Sequence, residues 1–328
     1  MRVLVTGGAG YIGSQTVKEL RREGFEPVVV DNLSTGHRES VKGAELHEFS
    51  VADRDRMLAL LRERPVEAVI HFAAFCYVGE SMEDPLRYYR NNVAGSIHLL
   101  EALIESGVRK FVFSSTCATY GEPVAMPLRE DHPQHPVNVY GDTKLAVERM
   151  LLALGASHGL RSVILRYFNA AGADPEGELG EDHEPETHLI PLVLQVPLGR
   201  RKQVRIFGDD YDTPDGTCIR DYIHTVDLAR AHILSLRYLA DGGPSDAFNV
   251  GIGRGYSVRE VVECARRVTG HVIPEIVEER RPGDPARLVA GSEKIRTALS
   301  WEPRFPDLEA IVRTAWSWHN SRPRGYAV

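Results

Sequence analysis

Only four cysteines occur in this chain of 328 residues, and no two of them stand in CxxC spacing. Cys76, Cys117, Cys218 and Cys264 lie scattered, which argues against a disulfide framework or a zinc knuckle and for a reducing, cytoplasmic setting. No apolar run approaches the roughly 18 residues of a membrane-spanning helix. Residues 2–6 already read as a strand, an expectation that leaves no room for a leader peptide. Positive charge is not in excess either. The net charge is −7 and no run of Lys/Arg suggests a groove for DNA or RNA, so nucleic-acid binding is not expected. Among 13 histidines there is no HExxH, and His183 and His188 fall in an acidic loop rather than on a helix, so no metal site is expected. Internal repeats and low-complexity segments are missing too.

What remains is an ordinary globular composition, 43% apolar and 26% charged, on a chain long enough for two domains. Apolar runs at Val3–Val5, Pro27–Val30, Ala68–Phe72, Lys110–Ser114 and Ser162–Arg166 alternate with helical stretches starting near Tyr11, Asp53, Pro85 and Tyr140. That rhythm predicts an α/β fold with a doubly wound parallel sheet, ligands collecting at the carboxyl ends of its strands. After about Asn169 the rhythm breaks into an acidic loop, a short helix, a strand Val204–Phe207, a helix Asp227–Leu239 and a strand Ala247–Gly251 that is expected to return to the first sheet. Residues 1–168 plus about 226–252 then form the sheet domain. Residues about 169–225 plus 253–328 form a smaller α/β domain interleaved with it.

Gly7, Gly10 and Gly13 form a GxxGxxG pattern directly between a strand and a helix. Missing Cβ atoms there permit a tight turn, close approach of a pyrophosphate and close helix–strand packing, with the helix N-terminus facing the phosphates. Asp31 ends the apolar run Val28–Val30, where a ribose-binding carboxylate belongs, and its charge favours NAD over NADP. The bland alternative is that Asp31 and Asn32 only begin a turn, while Arg38 is a residue that would suit a 2′-phosphate.

Tyr140 and Lys144 stand four apart and share one helix face. A phenol with a reference pKa of about 10 is a poor base unless a neighbouring ammonium lowers it. With that help Tyr140 takes a hydroxyl proton as hydride leaves carbon. Ser114-Ser115-Thr116 follows the apolar run Phe111–Phe113 and places a hydroxyl in the same crevice. Together with the glycine turn, this set resembles the extended short-chain dehydrogenase/reductase family.

The resemblance sharpens to the UDP-glucose 4-epimerases over essentially the whole chain. It rests on Thr6–Gly13, Asp31–Leu33, His71–Ala74, Val78–Ser81, Tyr88-Tyr89, Asn91–Val93, Arg166–Asn169, Arg220–His224 and Arg280–Asp284. It implies NAD held by Gly7, Gly10, Tyr11, Ile12, Gly13, Asp31, Asn32, Ser50, Val51, Phe72, Ala73, Ala74, Asn91, Ser114, Tyr140, Lys144 and Tyr167. It implies a UDP-sugar held by Thr116, Tyr140, Asn169, His188, Leu189, Phe207, Arg220, Arg281, Asp284 and Leu288, with Tyr140, Lys144 and Thr116 catalytic. A homodimer through a four-helix bundle is implied too, and the helices from Pro85 and Tyr140 do carry apolar residues on more than one face.

Three positions depart from the family pattern. Ser50 replaces the usual adenine-binding Asp, Cys76 stands where some relatives carry Lys, and Leu288 occupies the position that limits the C2 group of the sugar. Leu is intermediate in size and flexible, which predicts partial tolerance of N-acetylhexosamines, with pentose donors the next to consider. A 4,6-dehydratase needs an acid pair after Thr116 and a decarboxylase a Glu near Ala118; Cys117-Ala118 serves neither. A non-catalytic NAD-sensing regulator on the same fold is a different class of reading, which an intact Thr116/Tyr140/Lys144 set disfavours.

Overall fold

Val3 and Val5 face one apolar layer and Leu4 the opposite one, and that alternation makes the first strand the spine of two cores. The structure, a computed structural model, describes residues 1–281 and 283–327; Pro282 of the Arg280–Asp284 stretch lies outside them. Its strands are β1 (Arg2–Thr6), β2 (Glu26–Asp31), β3 (Glu45–Glu48), β4 (Ala68–His71), β5 (Lys110–Thr116), β6 (Arg161–Tyr167), β7 (Asn169–Ala171), β8 (Val204–Phe207), β9 (Ile219–His224), β10 (Asp246–Val250), β11 (Gly255–Ser257), β12 (Glu275–Glu278) and β13 (Arg287–Leu288). Seven of these form an all-parallel sheet in the order β10-β6-β5-β4-β1-β2-β3.

Val3 and Val5 pack with Val17 and Leu20 of the helix Tyr11–Arg22 and with Leu228, Ala231 and Leu236 of the helix Thr225–Ala240. Leu4 packs with Met57 and Leu61 of Arg54–Glu63, Leu99 and Leu103 of Gly95–Glu105, and Val147 and Leu151 of Val139–His158. Helices therefore cover both faces, which is the doubly wound Rossmann arrangement. All three β1 side chains are fully buried, each contributing about 1.5–3 kcal/mol relative to exposure. An acidic residue at Val5 would break this spine, because a buried carboxylate has no partner there.

The expected return of the strand near Ala247 is observed: β10 pairs in parallel with β6 from Asp246↔Val163 to Val250↔Tyr167. Around it, β9 is paired in parallel with β7 and β13 and antiparallel with β11, while β8 and β12 form a separate parallel pair. Asp221 of β9 is buried and accepts from the backbone N–H groups of Ile252, Gly253 and Ala290 at 2.9, 2.9 and 3.1 Å, tying together the segments on either side of it. Among the described residues no helix is long and apolar enough to cross a membrane.

Two features of this frame aim at a site. Strand order reverses between β1 and β4, and the Thr6 carbonyl accepts from both Phe72 N at 2.9 Å and Ala73 N at 3.1 Å, so a crevice opens at their carboxyl ends. The helical segment from Pro85 runs as α over Pro85–Tyr88, as π over Tyr89–Ala94 and as α again over Gly95–Glu105. Such π turns inside helices often mark functional sites.

Candidate active site

The glycines of the first turn divide three jobs. Gly7 has φ +74°, and a Cβ there would stand 2.5 Å from Ala73 N, so the two chain segments can meet only without a side chain. A Cβ on Gly13 would lie 2.1 Å from Gly7 O, so this glycine lets the helix press against the turn. At Gly10 the nearest atom would be 3.5 Å away; its missing side chain leaves room for a ligand, not for protein. Gly10 is also the N-cap of the helix and makes no side-chain cap. That leaves the helix N-terminus as an anion-binding end.

One cavity is lined by Gly7, Gly10, Tyr11, Ile12, Gly13, Asp31, Asn32, Ser50, Val51, Phe72, Ala73, Ala74, Asn91, Thr116, Tyr140, Lys144, Tyr167, Asn169, His188 and Leu189. Of the residues expected to hold the cofactor, Ser114 alone is outside this lining. Instead its carbonyl accepts from Lys144 Nζ at 2.8 Å and its hydroxyl is 2.9 Å from the Tyr167 hydroxyl. Asp31 does both things weighed for it. Its Oδ2 accepts from Ala9 N at 2.9 Å and its Oδ1 from Leu33 N at 2.8 Å, holding the turn, and it still lines the cavity. A carboxylate has about four lone-pair sites, so acceptor capacity remains for ribose hydroxyls. Burial raises its pKa, and the backbone donors oppose that. Arg38 is ion-paired with Glu48 and does not line the cavity, which fits NAD rather than its 2′-phosphate. The open cradle at Gly10 and the carboxylate at the end of β2 suit a dinucleotide.

Tyr140 and Lys144 sit on the helix Val139–His158, whose N-cap Asn138 accepts from Gly141 N at 2.8 Å. Ser81 Oγ accepts from Tyr140 N at 3.1 Å, fixing the start of that helix. The Tyr140 phenol and the Lys144 ammonium are both buried. Burial pushes the phenol well above its ordinary range; the Thr116 hydroxyl works the other way. Lys144 is itself lowered to about 8, first by burial. Its Nζ stands 6.0 Å from the Tyr140 ring centre and 5.0 Å from that of Phe113.

Sequence reading missed the residues that hold these groups from behind. In the π turn, the Asn92 carboxamide accepts from Phe75 N at 2.9 Å and donates to Phe75 O at 3.0 Å and to Thr143 Oγ1 at 3.1 Å. One side chain thus ties the loop after β4 to the catalytic helix; only its place next to Asn91 could have signalled it. Behind β5, Glu148 accepts from Ser115 Oγ at 2.5 Å, Gln134 Nε2 at 3.0 Å and Arg166 Nη2 at 2.7 Å. Glu181, His183 and Tyr222 also line the cavity, although they come from distant loops and from β9.

The outer group, Phe207, Arg220, Arg281, Asp284 and Leu288, does not line this cavity. These residues are brought to each other instead. Arg220 Nη2 is 2.5 Å from Asp284 Oδ1, Asp284 N donates to Arg281 O at 3.3 Å, and the Arg281 guanidinium lies 3.9 Å over the Phe207 ring. Leu288 is the β-register partner of Arg220 and packs with Cys117 and Phe168 beside the end of β5. Arg220 does not pair with the adjacent Asp221, which is buried on backbone donors; its partner is Asp284.

Fold and cavity define the class of a dinucleotide-dependent enzyme, with a Tyr–Lys pair lining the cavity. A model of the NAD dependent epimerase/dehydratase family matches residues 3–251. The chain is 53% identical over 327 residues to UDP-glucose 4-epimerase of Halalkalibacterium halodurans, covering 100% of this chain and 98% of that protein. UDP-glucose 4-epimerase from Brucella ovis in complex with NAD matches with a TM-score of 0.94 at 50% identity, covering 96% of this chain and 97% of that one. The UDP-Glc/GlcNAc 4-epimerase of Campylobacter jejuni matches with a TM-score of 0.86 at 41% identity, covering 98% and 99%. The chain belongs to the NAD dependent epimerase/dehydratase family and, within it, to the UDP-glucose 4-epimerases.

Proposed function

We propose that the chain interconverts UDP-galactose and UDP-glucose by inverting C4 through a 4-keto sugar. The observation that carries this reading is the convergence of Thr116, Tyr140 and Lys144 on the cavity that the glycine turn and Asp31 also line. Gly7, Gly10, Gly13 and Asp31 would hold NAD, which would supply the acceptor and donor of the C4 hydride. Tyr140 removes the C4 hydroxyl proton at its phenol oxygen and later returns it, while Thr116 orients the sugar oxygen. Lys144, anchored on Ser114 O, has donors left for the cofactor ribose and supplies the positive charge that keeps a phenolate accessible. Asn169, Arg220 and Arg281 would hold the diphosphate, and Phe207 and Asp284 the uridine, so that the nucleotide is gripped while the hexose is free to turn over.

Residues 1–168 plus about 226–252 are the cofactor domain, and about 169–225 plus 253–328 the sugar-nucleotide domain. The protein works in the cytoplasm as a homodimer. Ile97, Leu100 and Ile104 of one helix and Met150, Ala153 and Leu154 of the other line an apolar groove that suits a four-helix bundle. The intermediate size of Leu288 supports partial use of UDP-N-acetylhexosamines, and UDP-pentoses are further donors.

The test is to incubate the purified protein with UDP-galactose and no added cofactor, and to resolve the products by chromatography. UDP-glucose is the expected product. No conversion even with added NAD would overturn the assignment of this donor, and full biological activity in Tyr140→Phe would favour a non-catalytic regulator.

A further inference from the structure

A second group of side chains converges at the edge of the cavity, on the loop before the helix Leu189–Leu194. His188 Nδ1 is 2.5 Å and His183 Nδ1 3.2 Å from the same oxygen, Glu181 Oε1. Glu186 adds its two oxygens at 3.4 Å from His188 Nδ1 and 3.9 Å from His183 Nδ1. One atom from each of the four residues falls within 4.8 Å of all the others. We infer that Glu181, His183, Glu186 and His188 form a binding site for a divalent cation of the zinc class.

The alternative is a plain ion pair between a histidinium and Glu181. In that case an N–H should point at the carboxylate. Instead, Glu181 Oε1 and both Nδ1 atoms are buried without a hydrogen-bond partner despite their proximity. The Glu181 side chain is only 4% exposed, so bulk water has little access to it. Ligand atoms of four residues gathered within 4.8 Å of one another are what a cation satisfies, and two imidazole nitrogens with two carboxylate oxygens suit zinc better than magnesium or calcium, which prefer oxygen throughout.

The surroundings are arranged as supports for such ligands. Glu186 Oε1 accepts from Thr187 N at 2.7 Å and His188 N at 2.8 Å, which orients its carboxylate. The rings of Tyr11 and Tyr77 pack edge-on against His183, with centroids at 6.2 and 6.0 Å. By contrast, the acidic group Asp174, Glu176 and Glu178 already holds the Lys18 ammonium at 2.6–2.9 Å and has no need of an ion. Sequence reading expected no metal because helical HExxH spacing is missing; here a loop brings the four ligands together without it. A bound cation would pin the loop carrying His188 and Leu189 to Tyr11 at the start of the glycine helix.

The experiment uses the full-length protein, stripped with a chelator and titrated with cobalt(II), then zinc(II). The expected result is about one cobalt per chain with the visible d–d bands of a tetrahedral nitrogen–oxygen site, bleached by zinc. His183→Ala and Glu181→Gln are each expected to weaken cobalt binding by more than the roughly 10–100-fold that losing an outer-shell partner costs. Glu181→Gln keeps the side-chain size and decides the matter should His183→Ala not fold. The inference is overturned by the absence of cobalt bands at micromolar metal, or by binding that a folded Glu181→Gln variant leaves undiminished.

Discussion

Lys144 reaches from the second turn of its helix to the carbonyl of Ser114 at 2.8 Å, so the ammonium is fixed to the strand that ends in Thr116. Helix and strand therefore present Tyr140, Lys144 and Thr116 as one rigid set, and the lysine keeps its remaining donors for a ligand.

Two substitutions separate the roles in that set. Tyr140→Phe is expected to lower turnover by about 10²–10⁴-fold, the usual contribution of a positioned base, while NAD stays bound. Lys144→Met is expected to lose both turnover and retained cofactor. Turnover of UDP-galactose, with the dinucleotide content of the purified variants, checks both.

At the outer end of the site, Arg220→Met should act mainly on affinity. Losing charge-assisted contacts to a diphosphate, worth about 1.5–3 kcal/mol, predicts a KM raised by roughly 10–150-fold with a smaller change in kcat. Steady-state kinetics with UDP-galactose read the split.

The sugar pocket makes a separate prediction. With Leu288 packed against Cys117 and Phe168, the wild type should turn over UDP-N-acetylglucosamine, and Leu288→Gly should favour that donor further relative to UDP-glucose. Complete lack of wild-type activity on the N-acetylated donor would reject partial tolerance.

Stability hinges on the network behind β5. Glu148→Ala leaves Arg166 buried without its carboxylate, and a loss of about 3–5 kcal/mol is expected in denaturant unfolding. Ser115 and Gln134 lose their acceptor in the same step.

Acid should act through His71, which is buried between Thr6 Oγ1 at 2.6 Å and Ser96 Oγ at 3.1 Å and lowered from 6.5 to about 3, chiefly by burial. Between those values the unfolded chain binds a proton at this residue that the native one does not. Its contribution to stability is therefore present above pH 6.5 and lost as pH falls toward 3. His71→Asn should flatten the pH dependence in that window by one proton, about 1.4 kcal/mol per pH unit. Urea titrations of both proteins at pH 5 and 7 measure the difference, and other buried groups cancel in it.

Much of this arrangement can be read from residues. The apolar triplets of β1, β2 and β5 and the start signals at Tyr11, Asp53 and Pro85 place the sheet and its helices within a residue or two. Strand β3, Glu-Leu-His-Glu, was hidden because an exposed edge needs little apolar patterning. Strand β9 was hidden because Arg220 and Asp221 look like a surface pair, whereas Asp221 is buried on three backbone donors. In the site, local motifs found the glycine turn and the Tyr–Lys pair. They did not find Asn92 or Glu148, whose partners are far away in sequence and whose roles exist only once the chain has folded.

The place of β10 at the edge of the large sheet has a consequence for the growing chain. Strand β6 ends at Tyr167 and its outer partner at Val250, 83 residues later. At roughly 5–20 residues per second, the ribosome leaves the apolar edge Ser162–Leu165 uncovered for about 4–17 s during synthesis. An open parallel edge is a template for pairing with other nascent chains. Stalled chains ending shortly after Tyr167 should therefore bind chaperones and aggregate more than chains released past Val250, and equal behaviour of the two would show that the edge is shielded in some other way.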